Sequence, residues 1–278
     1  MTSSHMSYSV LVPVDTDEDR ARNQARCVAR FHDAPETVEA TVLYVYPQWR
    51  APDDEATAFS TVSAAVAAAT TLEGHGISTT RLVEEGEVTE RILRVADDLD
   101  ADEIVVGGRK LSGVQRVLLG STTRDVARST ERPVTVTGTD VVLRDRIDRL
   151  LVPVDRDEER ARHQAAYVAG LPGVTEGVEV TVFHVFEHQD YTGAPRHEFE
   201  EVDAAVAAAD YLEERGVTVD RVAVGGEVSR KVVDRAEALD ADGIVLGGRK
   251  RSGLQSALVG STSTDVVLSV ERPVTLTG

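Results

Sequence analysis

Val105-Val-Gly-Gly-Arg-Lys-Leu-Ser-Gly-Val-Gln-Arg-Val-Leu-Leu-Gly-Ser-Thr122 reads as a short apolar strand, a Gly-rich loop and a Gly-Ser-Thr step into a helix. Its twin is Val245-Leu-Gly-Gly-Arg-Lys-Arg-Ser-Gly-Leu-Gln-Ser-Ala-Leu-Val-Gly-Ser-Thr262. Glycines let a backbone come close to a ligand, and the free N–H groups of a helix start attract negative charge. The order therefore predicts an anion-binding loop, carried twice.

The twinning extends along the whole chain. Leu11-Val-Pro-Val-Asp15 returns as Leu151-Val-Pro-Val-Asp155, and Glu18-Asp-Arg-Ala-Arg22 as Glu158-Glu-Arg-Ala-Arg162. Ala64 to Ala69 matches Ala204 to Ala209, and Glu131-Arg-Pro-Val-Thr135 matches Glu271-Arg-Pro-Val-Thr275. Every pair is 140 positions apart, so no insertion separates the copies. A repeat this long is a duplicated domain and not a solenoid. The reading gives two domains, residues 7–138 and 147–278, joined by a solvated linker at 139–146.

Within one unit, Ser9 to Val14 is a β-branched apolar run of strand length, ended by Asp15. Thr16 or Asp17 caps a helix that runs to about His32, with Glu18 and Asp19 at its positive end. Thr37 to Tyr46 is a second strand, Ala58 to Leu72 an Ala-rich helix, and Ile77 to Val83 a third strand. A helix over Val88 to Leu99, a short buried strand over Ile104 to Val106, a helix from Ser121 and a strand over Pro133 to Thr137 complete the unit. Alternating strands and helices predict an α/β domain with parallel neighbours and helices on both faces. Continuous apolar strands fit that double cover. Ligands of such sheets sit beyond the carboxyl ends of the strands, where strand order reverses. Asp15 and Gly107 should therefore meet in space.

Composition sets limits on partners. The formal net charge is −18, and the basic residues are nearly all Arg, with lysines only at 110, 231 and 250. Sparse Lys and abundant carboxylate predict a salt-adapted, halophilic protein kept soluble by its charge. The same charge argues against nucleic acid as a partner, because phosphate contacts need a basic face. No apolar run reaches the roughly 18–20 residues that span a bilayer, so no membrane partner is expected. Met1 to Met6 does not read as a secretory signal, and the lone Cys27 fits a reducing cytoplasm.

These residues resemble the universal stress protein family, whose hallmarks are a strand ending in Asp and a motif Gly-x2-Gly-x9-Gly-[Ser/Thr]. The resemblance implies two tandem open five-stranded parallel sheets with helices on both faces, a Rossmann-like α/β architecture. It also implies ATP or another adenine nucleotide as ligand, with Mg²⁺ arriving on the nucleotide. The adenine end would lie near Asp15 and Val45, repeated as Asp155 and Val185. Phosphates would meet Gly107, Gly120, Ser121 and Thr122, and again Gly247, Gly260, Ser261 and Thr262, and the nucleotide-binding residues would also include Pro13, Val106, Pro153 and Leu246. In the family the closing strands join neighbouring units, which implies an internal pseudo-dimer here. A homodimer and a protein partner are left open.

The motif departs from the family at one place: its second glycine is Lys110 in the first half and Lys250 in the second. Beside Arg109 and Arg249 these lysines read as a cationic patch for phosphate. The opposite reading has the lysine filling the pocket, which leaves a family member that binds no nucleotide and acts as an interaction module. No histidine or lysine base recurs at a fixed offset from Ser121 and Ser261, so catalysis beyond slow ATP hydrolysis is not expected. The histidines lack metal-ligand spacing. Trp49 and Tyr191 read as packing or surface residues, and Cys27 as buried and inert.

Overall fold

The computed structural model describes residues 7–47, 58–110, 117–118, 120–138, 141–187, 197–248 and 261–278. The first half runs β1 (Tyr8–Val14), α1 (Glu18–Val28), α2 (Ala34–Thr37), β2 (Val38–Pro47), α3 (Ser63–Gly74), β3 (Ser78–Gly86) and α4 (Val88–Asp98). It continues through β4 (Glu103–Lys110), β5 (Val117–Leu118), α5 (Ser121–Ser129) and β6 (Val134–Gly138). The second half runs β7 (Arg149–Pro153), α6 (Glu158–Gly170), β8 (Glu179–Phe186), α7 (Asp203–Glu213) and β9 (Thr218–Gly225). It ends with α8 (Val228–Leu239), β10 (Gly243–Gly247), α9 (Ser261–Ser269) and β11 (Val274–Thr277). Trp49, Tyr191, Arg249, Lys250 and Gly260 lie outside the described residues.

Local chemistry accounts for the element ends. Asp17 caps α1, its carboxylate accepting the Arg20 N–H at 3.0 Å. The helix stops at Val28, short of the expected His32; the chain then turns, with the Phe31 N–H donating to Val28 O at 3.3 Å, before Asp33 takes a left-handed φ of 52°. The Ala-rich helix α3 begins at Ser63, after a separate 3-10 turn at Phe59–Thr61. Its buried Ala64, Ala65, Ala68 and Ala69 let it pack closely on α1.

Both faces of each half-sheet are covered. Val10, Val12 and Val14 pack on the α1 and α3 side, while Leu11, Leu43 and Ile104 pack with Ile92 and Val95 of α4 on the other. That is why β1 reads as unbroken apolar sequence.

The strand order is β3-β2-β1-β4-β6-β11-β10-β7-β8-β9, with β5 paired to β4 alone. Within each half these path strands are parallel. The halves meet through β6 and β11, which pair antiparallel with Thr135 opposite Thr275. Two five-stranded sheets are thus fused into one, and neither closing strand is left as an open edge.

The linker is less free than its charges implied. The Val142 N–H donates to Glu271 O at 2.9 Å, and Arg144 pairs with Asp240 while lying 3.8 Å from the buried Asp242. Further ties cross between the halves: the Arg30 guanidinium donates to Asp242 O at 2.8 Å, and His32 Nε2 lies 2.7 Å from Ile147 O. No described helix is long and apolar enough to cross a membrane.

Candidate functional site at the mouth of each half-sheet

Strand order reverses between β1 and β4: the chain leaves β1 toward β2 and leaves β4 toward β6. Their ladder pairs only Val10 with Glu103 and Leu11 with Ile104, so the two strands part toward their carboxyl ends. Gln24 fills the gap from α1, its Nε2 donating to Pro13 O at 2.7 Å and to Val105 O at 2.9 Å. A side chain only 1% exposed that satisfies two strand carbonyls holds the crevice at a set width.

Asp15 and Gly107 do meet, and what joins them is Arg20. Its guanidinium pairs with the Asp15 carboxylate and with Asp17 Oδ2, the latter at 2.8 Å. The other oxygen of Asp15 accepts the Asp17 N–H at 2.9 Å. The Arg20 stem crosses Gly107 so closely that a Cβ built there would overlap Arg20 Cγ and Cδ. Glycine is needed at 107 because an arginine stem already occupies the space of a side chain.

The helix after the loop reaches the same place. Thr123 Oγ1 donates to Gly107 O at 3.1 Å, which seats the first turn of α5 at the end of β4. Gly120, the residue before α5, supplies no side-chain cap. α5 thus opens at Ser121 beside the end of β4, and a helix start is a favourable place for an anion.

The remaining expected residues fall into three groups. Val45, toward the end of β2, and Val106, within β4, bury their side chains in the core under α4 and α5, as Val185 and Leu246 are buried in the matching core of the second half. Arg109 and Lys110 belong to the backbone of β4, paired antiparallel with Leu118 and Val117, where the sequence predicted a loop directly after Val106. The strand runs further because β5 supplies it with a partner. Ser261 and Thr262 open α9.

The second half repeats the core of the arrangement. Arg160 pairs with Asp155 and with Asp157 Oδ2 at 2.9 Å, and its stem covers Gly247. Gln164 Nε2 donates to Pro153 O at 2.7 Å and to Val245 O at 2.9 Å. Sequence reasoning missed Arg20, Gln24, Arg160 and Gln164 as site residues. The available signal was their identity at matched positions of the two copies, which a solvent-facing helix turn does not require.

The halves differ beside the mouth. At the end of β2, Tyr44 and Tyr46 meet edge to face with centroids 4.7 Å apart. At the end of β8 the matching residues are His184 and Phe186, with the His197 ring stacked on Phe186 at 5.1 Å and Arg156 at 5.6 Å from its centroid. Burial lowers the His184 pKa, and its Nδ1 lies 2.8 Å from Val154 O. The two mouths therefore share a floor and differ in one wall.

A family model described as the universal stress protein family matches residues 6–138 and again 146–278. A universal stress protein of Mycolicibacterium smegmatis is 28% identical over 294 residues, covering 99% of this chain and 98% of that one. Among solved structures, a universal stress protein from Archaeoglobus fulgidus superimposes with a TM-score of 0.73 at 21% identity, covering 98% of each chain. A putative universal stress protein from Pseudomonas aeruginosa gives 0.64 at 18% identity, over 98% of this chain and 94% of that one.

Proposed function

Because the chain belongs to the universal stress protein family, we propose that each half binds one adenine nucleotide and that the protein acts as a cytoplasmic stress-response sensor or regulator. The observation that carries this reading is the convergence of Asp15, Gly107 and the first turn of α5 where strand order reverses, with Asp155 and Gly247 placed alike. A carboxylate suits the amino edge of adenine, and helix N–H groups suit phosphate. In this reading the base lies toward Asp15 and Val45, and the phosphates lie toward Gly107, Gly120, Ser121 and Thr122. Mg²⁺ would arrive with the nucleotide. Any hydrolysis of ATP would be slow, because the site supplies positioning alone.

The test is mass spectrometry of small molecules released when the purified protein is denatured, followed by calorimetric titration with ATP at high salt. ATP, ADP or AMP in the released fraction, and two sites per chain in the titration, are the expected results. A protein that is empty and takes up no added ATP would sink the reading.

One observation favours a second reading, a family member that binds no nucleotide and works as an interaction module. Arg20 and Arg160 occupy the space beside Gly107 and Gly247 and engage the carboxylates that would otherwise meet adenine. The empty outcome of the same titration selects it.

A further inference from the structure

The same arginine that speaks against a ligand has the features of a device that regulates one. Arg20 is held at both ends. Its Nη1 and Nη2 reach Asp15 and Asp17, and its own N–H is tied to Asp17 Oδ1 at 3.0 Å. Its stem lies against Gly107, with Gln24 Oε1 closing the far side 3.2 Å from the position of a Gly107 Cβ. The side chain is only 11% exposed, and its buried Nε has no hydrogen-bond partner among the described residues. The second half repeats the fork, the stem over glycine and the glutamine, with Gln164 Oε1 at 2.9 Å from a Gly247 Cβ. Arginine at the fifth position after the strand-ending Asp is thus a built feature of both units.

We infer that Arg20 and Arg160 are affinity-setting latches: each closes its half-site by pairing with Asp15 or Asp155, and a nucleotide binds only when the guanidinium leaves that carboxylate. The inference rests on the nucleotide reading above and adds the group that controls the site. A bidentate arginine between two carboxylates is a strong competitor for the floor of the crevice. A ligand whose competent state is only partly populated loses apparent affinity by that fraction. Releasing the latch should return the loss.

The experiment uses the full chain with one latch removed at a time. Arg20→Met keeps an unbranched stem over Gly107 and removes the fork; Arg160 stays as the internal control. Calorimetric titration with ATP should then resolve two classes of site, one at least tenfold tighter and one unchanged from wild type. Arg160→Met should show the same pattern, and Arg20→Lys, which keeps a cation near Asp15, should stay within about threefold of wild type. Thermal melting confirms that each variant is folded. If Arg20→Met fails to fold, Arg20→Gln, which shortens the stem and carries no charge, replaces it under the same expectation. ATP binding by wild type that is equal or weaker in both Met variants overturns the latch and leaves the nucleotide reading standing. ATP binding by neither wild type nor variants removes the nucleotide reading, and the latch with it.

Discussion

Thr135 and Thr275, equivalent residues of the two halves, face each other across the junction of β6 and β11 with their hydroxyl oxygens 2.6 Å apart. They mark the pseudo-twofold axis, yet the buried polar cluster around them is not symmetric. Glu103 lies beside them, only 1% exposed, and accepts from Tyr8 Oη at 2.9 Å and Tyr167 Oη at 3.2 Å. Tyr167 Oη also lies 3.3 Å from Thr275 Oγ1. The positions matching Glu103 and Tyr167 in the other half are Gly243 and Cys27. The first half supplies the acid and the Tyr8 phenol and the second half the Tyr167 phenol, so the cluster is complete only when unlike halves meet.

Removing one hydroxyl from that cluster should cost more than its own hydrogen bond. Thr135→Val leaves Thr275 and Glu103 each with a lost partner, and we expect destabilisation of about 1–3 kcal/mol in urea unfolding. The double variant with Thr275→Val should cost less than the sum of the singles, because the second change removes a group that has already lost one of its partners. Additive losses would show that the two hydroxyls do not interact.

Glu103 should give stability a pH dependence of a stated sign. Burial, the largest influence, raises its pKa above the ordinary 4.5, against the hydrogen bonds from Thr135, Tyr8 and Tyr167 that lower it. The folded state then holds the proton more tightly than the unfolded chain. Between the ordinary and the raised value the folded state binds more protons, so this contribution falls as pH rises and stays low above the window. Glu103→Gln removes the titration. The variant should gain on wild type as pH rises from about 4.5, read from urea midpoints; a gap that narrows instead contradicts the assignment.

Gly173 holds the halves together through its missing side chain. Its φ is +61°, and a Cβ there would overlap Cβ of His32 from the other half. Gly173→Ala should lower stability by about 2–4 kcal/mol, from left-handed strain plus the clash. Gly170→Ala, at the end of α6 with open space around it, is the control and should be neutral or slightly stabilising. Equal melting temperatures for the two variants would rule the contact out.

Cys27 should be silent toward thiol reagents. It is 7% exposed, and burial, its largest influence, pushes its thiol up to about 11. The thiolate is the reactive form. Ellman's reagent at pH 8 should release colour only after denaturant is added; immediate reaction in the folded protein would contradict this burial.

Much of the architecture was open to reading from the residues. The duplication, the alternation of strands and helices, the ends of β1 and β6 and the start of α5 follow from period, caps and apolar runs, which are local properties of the chain. So does the meeting of Asp15 with Gly107, because right-handed crossovers leave few ways to order such strands. Other features were not legible, for equally local reasons. Glu103 begins a strand and has the composition of a surface residue, and its burial depends on Tyr8 and on Tyr167 from the other half. Arg20 sits in an acidic first helical turn and reads as a solvated charge.

Sequence by itself determined that there are two like units, how each is wound, and where each keeps its crevice, because those follow from patterns repeated within a few residues. Tertiary structure alone decided that β6 and β11 run antiparallel, that one acid and a phenol from each half share the axis, and that an arginine stem lies on Gly107. Each of these depends on groups far apart in the chain, with Arg20 and Gly107 separated by most of a domain. Only the packing of α1 against the sheet brings them into contact.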